Sequence, residues 1–182
     1  TYAASDTSAN PDVGHIFAPP VVDASNTDVV TQITKMNNGR WAAIIGNGYN
    51  SINERPALLI QYLDGDKELL TVGVTDPSAK GGNGLSAPRV FDVNGDGTPD
   101  MVYAGDIQGN LWKFDLSSNN SNNWKVAFNG KPFYTAKNYV KSGGKVNSTT
   151  PQPITTAPLI KALTSPRGVM VAFGSGKNIT EA

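Results

Sequence analysis

Short apolar runs recur along the chain between polar stretches, and nowhere do apolar positions keep the 3, 4, 7 spacing of a helix beyond two turns. The pattern predicts an all-β chain, with strands at 18–22, 41–45, 57–62, 68–74, 89–91, 101–104, 111–116, 124–128, 159–163 and 169–173. Asp64-Gly65-Asp66, Gly109-Asn110 and Asn129-Gly130 supply residues that tolerate positive φ, so hairpin connections are expected at each. Nineteen glycines, twelve prolines and many Asn, Ser and Thr punctuate the rest.

A long repeat organises these strands. Ala18-Pro19 opens APPVVDAS, Ala87-Pro88 opens APRVFDVN and Ala157-Pro158 opens APLIKALT, at offsets of 69 and 70 residues. After each comes a second apolar run ending in glycine: WAAIIGNG from Trp41, MVYAGDIQG from Met101 and VMVAFGSGK from Val169. In the first two units a third and a fourth strand follow. Four antiparallel strands, repeated, are the mark of a β-propeller blade. The expectation is a β-propeller segment of about two and a half blades: one over about 15–75, a second over about 86–135 and the opening of a third over about 155–182. The surplus over common repeat lengths falls in polar stretches at 75–86, 117–123 and 141–156, expected as inserted loops. Two and a half blades cannot close a ring, so the chain is expected to belong to a larger propeller. The alternative is a β-sandwich in which the Ala-Pro steps recur by chance.

Between the first two strands of the second unit lies the most distinctive stretch. Asp92, Asn94, Asp96, Thr98 and Asp100 occupy positions 1, 3, 5, 7 and 9 of a D-x-N-x-D-G-x-x-D loop, with Gly97 at position 6. Alternate positions of a tightly curled loop point inward, so carboxylate and amide oxygens at 1, 3, 5 and 9, with the carbonyl at 7, suit a hard cation such as Ca²⁺. Carboxylates about 5 Å apart would otherwise repel by roughly 3 kcal/mol per pair at an effective dielectric near 20. Position 12 is Tyr103 instead of the EF-hand glutamate, and the flanks are strand-like, which predicts a strand-loop-strand site with Asp100 as the late ligand. Magnesium fits less well, since it favours a smaller and stricter coordination shell. The bland alternative is a solvated Asn/Asp/Gly turn. Aligning the repeats places Asp23 opposite Asp92, but Ser25 and Thr27 opposite Asn94 and Asp96, and Ala162 opens the third unit. One metal site is therefore expected, in the middle unit.

Composition narrows the remaining classes. Fifteen Lys plus Arg balance fifteen Asp plus Glu, so no basic field argues for nucleic acid. The absence of cysteine excludes disulfides, thiolate metal sites and a cysteine nucleophile. No apolar run approaches the roughly 20 residues needed to cross a bilayer, so no transmembrane segment is expected. No signal peptide is visible at Thr1, and the true N-terminus is expected upstream. His15 is the only histidine and reads as a packed or surface side chain. Asp64 and Asp66 have the spacing of an acid–base pair, but Asp-Gly-Asp between apolar runs is more simply a turn. Trp41, Trp112 and Trp124 could stack sugars, yet each falls in or beside a predicted strand, so core packing is expected. The sequons at Asn119, Asn147 and Asn178 are the chance product of an Asn- and Ser-rich chain.

The runs VYAGDIQGNLWKFDL after the acidic loop and GVMVAFGSGKNITEA at the end resemble the C-terminal propeller of the PilY/PilC family of type IV pilus biogenesis and tip adhesin proteins. The resemblance covers most of the chain, most closely 87–116 and 168–182. It implies a modified, seven-bladed propeller and a Ca²⁺ site at Asp92, Asn94, Asp96, the Thr98 carbonyl and Asp100. It also implies a place at the bacterial cell surface, at the pilus tip or on the outer membrane. Calcium there is linked to control of pilus extension and retraction. Implied partners are minor pilins or a host-cell surface reached through the parent protein, together with the remaining blades. Gly109, Leu111, Trp112 and Phe114 also resemble the strand of quinoprotein dehydrogenase propellers, which would imply a pyrroloquinoline quinone oxidoreductase fragment. A blade-packing role explains the same residues, so no catalysis is expected. A purely structural ring that binds another protein is the third alternative.

Overall fold

The structure, a computed structural model, describes residues 10–23, 30–142, 145–164 and 167–176. The first sheet runs β1 (Ile33–Lys35), β2 (Trp41–Gly46), β3 (Ala57–Tyr62) and β4 (Leu69–Gly73), each antiparallel to the next. The second runs β5 (Arg89–Phe91), β6 (Met101–Gly105), β7 (Asn110–Asp115) and β8 (Lys125–Val126), with β9 (Tyr134–Thr135) also pairing with β7. Two hairpins follow: β10 (Lys137–Ser142) with β11 (Lys145–Pro151), and β12 (Leu159–Thr164) with β13 (Arg167–Ala172). Each large sheet is a simple meander, as a propeller blade is.

Alternation along the strands builds the core. Ala42 and Ile44 of β2, Leu58, Ile60 and Tyr62 of β3 and Val72 of β4 join Val102 and Ala104 of β6 and Trp112 and Phe114 of β7 in one cluster between the sheets. Trp112 and Phe114 are fully buried, and burying a side chain of that size contributes about 1.5–3 kcal/mol. Leu111 points to the opposite face of its sheet, where it packs with Ala136 and Ile154, flanked by Val171 and Phe173. The Leu111-Trp112-Phe114 run therefore serves two packing layers.

In the first two units the strand-end glycine has a steric cause, whereas a Cβ on Gly174 of the third would meet nothing among the described residues. A Cβ on Gly46 would run into the backbone oxygens of Ser86 and Leu85, and one on Gly105 into the side chain and carbonyl of Ile154. At both places the incoming segment of the next unit crosses the strand end with no room for a side chain. Gly46→Ala is expected to destabilise by about 1–3 kcal/mol through overpacking. A lower urea midpoint at unchanged slope would show it.

Four expectations are corrected. The segment 18–22 is not a strand: Pro19 and Pro20 have no N–H to donate, and Val22 makes only an isolated bridge to Val30. The partner of β2 is Ile33–Lys35 instead. The segment 141–156 is not simply a loop, since β10 and β11 form a hairpin with Ser142 opposite Lys145. The strand at 124–128 shortens to β8, because Phe128, Asn129 and Gly130 take left-handed backbone at φ 54°, 56° and 78° and turn the chain back to β9. Finally, Trp112 and Trp124 are buried, but Trp41 is 52% exposed. Ser25, Thr27 and Asn178 lie outside the described residues.

Candidate metal centre

The acidic loop joins β5 to β6, whose pairing of Phe91 with Met101 brings its two ends together. Gly95 and Gly97 take φ of 80° and 87°, a region that side chains disfavour, and so let the chain curl. The curl is held by the ligand candidates themselves. Asp92 accepts from the N–H groups of Asn94 at 3.1 Å, Gly95 at 2.7 Å and Gly97 at 2.7 Å. Asn94 Oδ1 accepts from the Asp96 N–H at 2.9 Å, and Asp96 Oδ1 from the Thr98 N–H at 2.8 Å. Asp100 is buried and accepts from the Val93 N–H at 2.9 Å, closing the loop end to end. The hydroxyl and N–H of Thr98, with the Asn94 amide, hold the Asp96 carboxyl below its ordinary range.

The five candidates thus lie on one curled loop, with Asp92, Asn94 and Asp96 each folded back on the chain two residues ahead. Among the described residues, however, no three acidic or imidazole side chains converge into a metal-holding group. By donor chemistry the set fits a hard divalent cation. It offers three carboxylates and an amide oxygen, and Asp92 Oδ2, Asn94 Oδ1 and Asp100 Oδ2 each accept a single N–H, which leaves a second lone pair for an ion.

Sequence reasoning missed Asn37, in the turn between β1 and β2. Its Nδ2 donates to the carbonyls of Pro99 and Leu116, both at 3.0 Å, and lies 3.4 Å from Asp100 Oδ1. Its Oδ1 accepts from the Thr98 hydroxyl at 2.9 Å. The Asn-Asn-Gly run at 37–39 marks a turn, but nothing in it shows that the turn reaches a loop more than 60 residues away.

Asp106, directly after β6, lies outside the loop. It is fully buried and accepts from Asn83 Nδ2 at 2.9 Å, the Asn110 N–H at 2.8 Å, Asn110 Nδ2 at 2.9 Å and Trp112 Nε1 at 2.8 Å. Burial pushes its carboxyl above the ordinary carboxylate range, opposed by those hydrogen bonds. Asp64 accepts from the Trp41 N–H and pairs with Arg40 in a turn, and His15 is exposed, edge-on to Phe17. A cavity of about 680 Å³ collects all three Ala-Pro corners, lined by Ala18, Ala87 and Ala157, with Arg89 also on its wall.

Fold and loop together define a β-propeller segment with an oxygen-rich acidic loop between two strands of one sheet. A family model described as the PilY1 beta-propeller domain matches residues 21–182, and the chain belongs to that family. It is 36% identical over 188 residues to the type IV pilus biogenesis factor PilY1 of Pseudomonas aeruginosa strain PAO1, an alignment covering 94% of this chain and 14% of that protein. It is 39% identical over 158 residues to a PilY1 homolog of Xylella fastidiosa, covering 80% of this chain and 10% of the homolog. The crystal structure of the P. aeruginosa PilY1 C-terminal domain superposes with a TM-score of 0.72 at 35% identity, covering 92% of this chain and 33% of that one. The chain thus spans about a seventh of the PAO1 protein's length.

Proposed function

We propose that the chain is a calcium-binding, non-catalytic propeller module of a type IV pilus-associated surface protein. It acts in pilus biogenesis, in control of extension and retraction, and in adhesion. The observation that carries calcium binding is the loop itself: Asp92, Asn94, Asp96 and Asp100 alternate along a backbone that two left-handed glycines curl. Ca²⁺ bound there supplies positive charge that relieves repulsion among the carboxylates; its role is to brace the loop. Asp92, Asn94, Asp96, the Thr98 carbonyl and Asp100 hold it. The sheets at 33–73 and 89–135 serve as two blades, and β12–β13 as the start of a third.

The relatives' designation as pilus biogenesis factors supports a pilus-associated role; the place proposed for this chain is the cell surface or pilus tip, with minor pilins or a host surface as partners. No helix among the described residues is long and apolar enough to cross a membrane. The non-catalytic assignment is supported by how the acidic groups are used. Asp64 closes a turn and Asp106 is saturated by donors.

Calorimetric titration with Ca²⁺, with Mg²⁺ as control, tests the assignment. The expected result is saturation at one Ca²⁺ per chain, with Mg²⁺ binding far more weakly. No heat from millimolar Ca²⁺, or equal affinity for the two ions, would overturn it.

A further inference from the structure

The two halves of the acidic loop are held in different ways. Residues 92–97 are held chiefly by the loop's own Asp and Asn side chains. Residues 98–100 are gripped from the other sheet by Asn37. That residue is firmly placed: Met36 beside it is fully buried in the core, and the turn is closed by the Gly39 N–H on the Met36 carbonyl at 2.8 Å and the Met36 N–H on the Arg40 carbonyl at 2.8 Å. Both hydrogens of its amide are spent on the Pro99 and Leu116 carbonyls. Leu116 in turn donates its N–H to the Asp100 carbonyl at 2.8 Å. One side chain of the first sheet therefore fixes the stretch that carries the last two ligand candidates.

Thr98 makes this grip responsive. Its hydroxyl lies 2.6 Å from Asp96 Oδ1 and 2.9 Å from Asn37 Oδ1, both acceptors. A hydroxyl has one proton, so donation to Asp96 and donation to Asn37 compete. When Asp96 Oδ1 is engaged by a cation it becomes a poorer acceptor, and the Thr98 proton is left to Asn37.

We propose that Asn37 is the positioning residue that couples occupation of the loop to the junction between the two sheets, with the Thr98 hydroxyl as the element that changes partner. The proposal rests on calcium binding at Asp92–Asp100. It makes the ion a brace across two blades, beyond the loop of one.

The test uses the full chain with Asn37→Ala and, should that variant fold poorly, Thr98→Val, which deletes the hydroxyl and keeps the backbone carbonyl. Three quantities are measured: calcium affinity by calorimetry, melting temperature in calcium and in chelator, and amide hydrogen exchange. In the wild-type chain calcium is expected to slow exchange both in the loop and in the 36–41 turn of the first sheet. In either variant affinity is expected to fall by roughly tenfold, the order seen when residues that orient metal ligands are removed. Protection should then stay in the loop and vanish from 36–41, and the variant should lose more melting temperature in calcium than in chelator. Unchanged affinity, or an equal loss in calcium and in chelator, would reduce Asn37 to an ordinary structural contact and overturn the proposal. A wild-type chain that takes up no calcium would overturn it as well, and that failure is told apart because it appears before any variant is made.

Discussion

Replacing Asp106 with alanine is expected to destabilise the chain by about 3–5 kcal/mol, because two buried donors, Trp112 Nε1 and Asn83 Nδ2, lose a charged acceptor together. For a chain of this size that corresponds to a fall of roughly 10 °C in melting temperature. Asp106→Asn should recover only part of the loss. All four contacts to Asp106 are donors, so an amide NH₂ would face N–H groups. Asn47 shows the contrast at the matching strand end of the first sheet. There the amide suits its surroundings, donating to the Asp12 and Arg55 carbonyls and accepting from the Ala57 and Leu85 N–H groups. The pH dependence has a definite sign. Burial raises the Asp106 pKa above its ordinary 3.8, so the folded state holds this proton more tightly than the unfolded chain does. Ionising this buried carboxyl therefore makes stability fall as pH rises from 3.8 through the folded value, and the alanine variant should lack that slope. A melting temperature within 2 °C of wild type, by the scale of roughly 2–4 °C per kcal/mol, would show that the network contributes little.

Calcium at about 100 times its dissociation constant is expected to add about 2.7 kcal/mol to the wild-type chain, and both Asp96→Ala and Asp100→Ala should abolish that gain. The two variants are expected to differ when no ion is present. Asp96 is exposed and its partners are near neighbours in the loop, so its loss leaves the melting temperature in chelator close to wild type. Asp100 is buried and caps the Val93 N–H, so its loss lowers the melting temperature even in chelator. Scanning calorimetry of both variants, with and without calcium, separates the ligand effect from the packing effect. A calcium shift of wild-type size in either variant would remove that residue from the site.

Local chemistry made much of this legible. The acidic loop announces itself because each residue type serves its own position: Asp and Asn at alternating places to turn oxygens inward, and glycine where φ is positive. The meander strands were readable where apolar residues are buried: 57–62 is buried at every position but Gln61, and within 111–116 buried Trp112, Phe114 and Leu116 alternate with Lys113 and Asp115. Periodicity failed in β10 and β11, whose sequences KNYVKS and KVNSTTP do not alternate apolar with polar residues. It also failed at Phe128, a bulky residue in left-handed backbone that no propensity would place there.

The sequence by itself determined the strand-rich class, the repeated unit and the order of oxygen donors along one loop, because these depend on residues close together in the chain. Only the tertiary structure decided that Asn37 grips that loop, that Asp106 is a buried acceptor in the core, and that Gly46 and Gly105 are glycines because the next unit crosses them. These contacts join residues roughly 20 to 80 positions apart, and which side chains meet at such separations is set by how one sheet packs on the next, not by local periodicity.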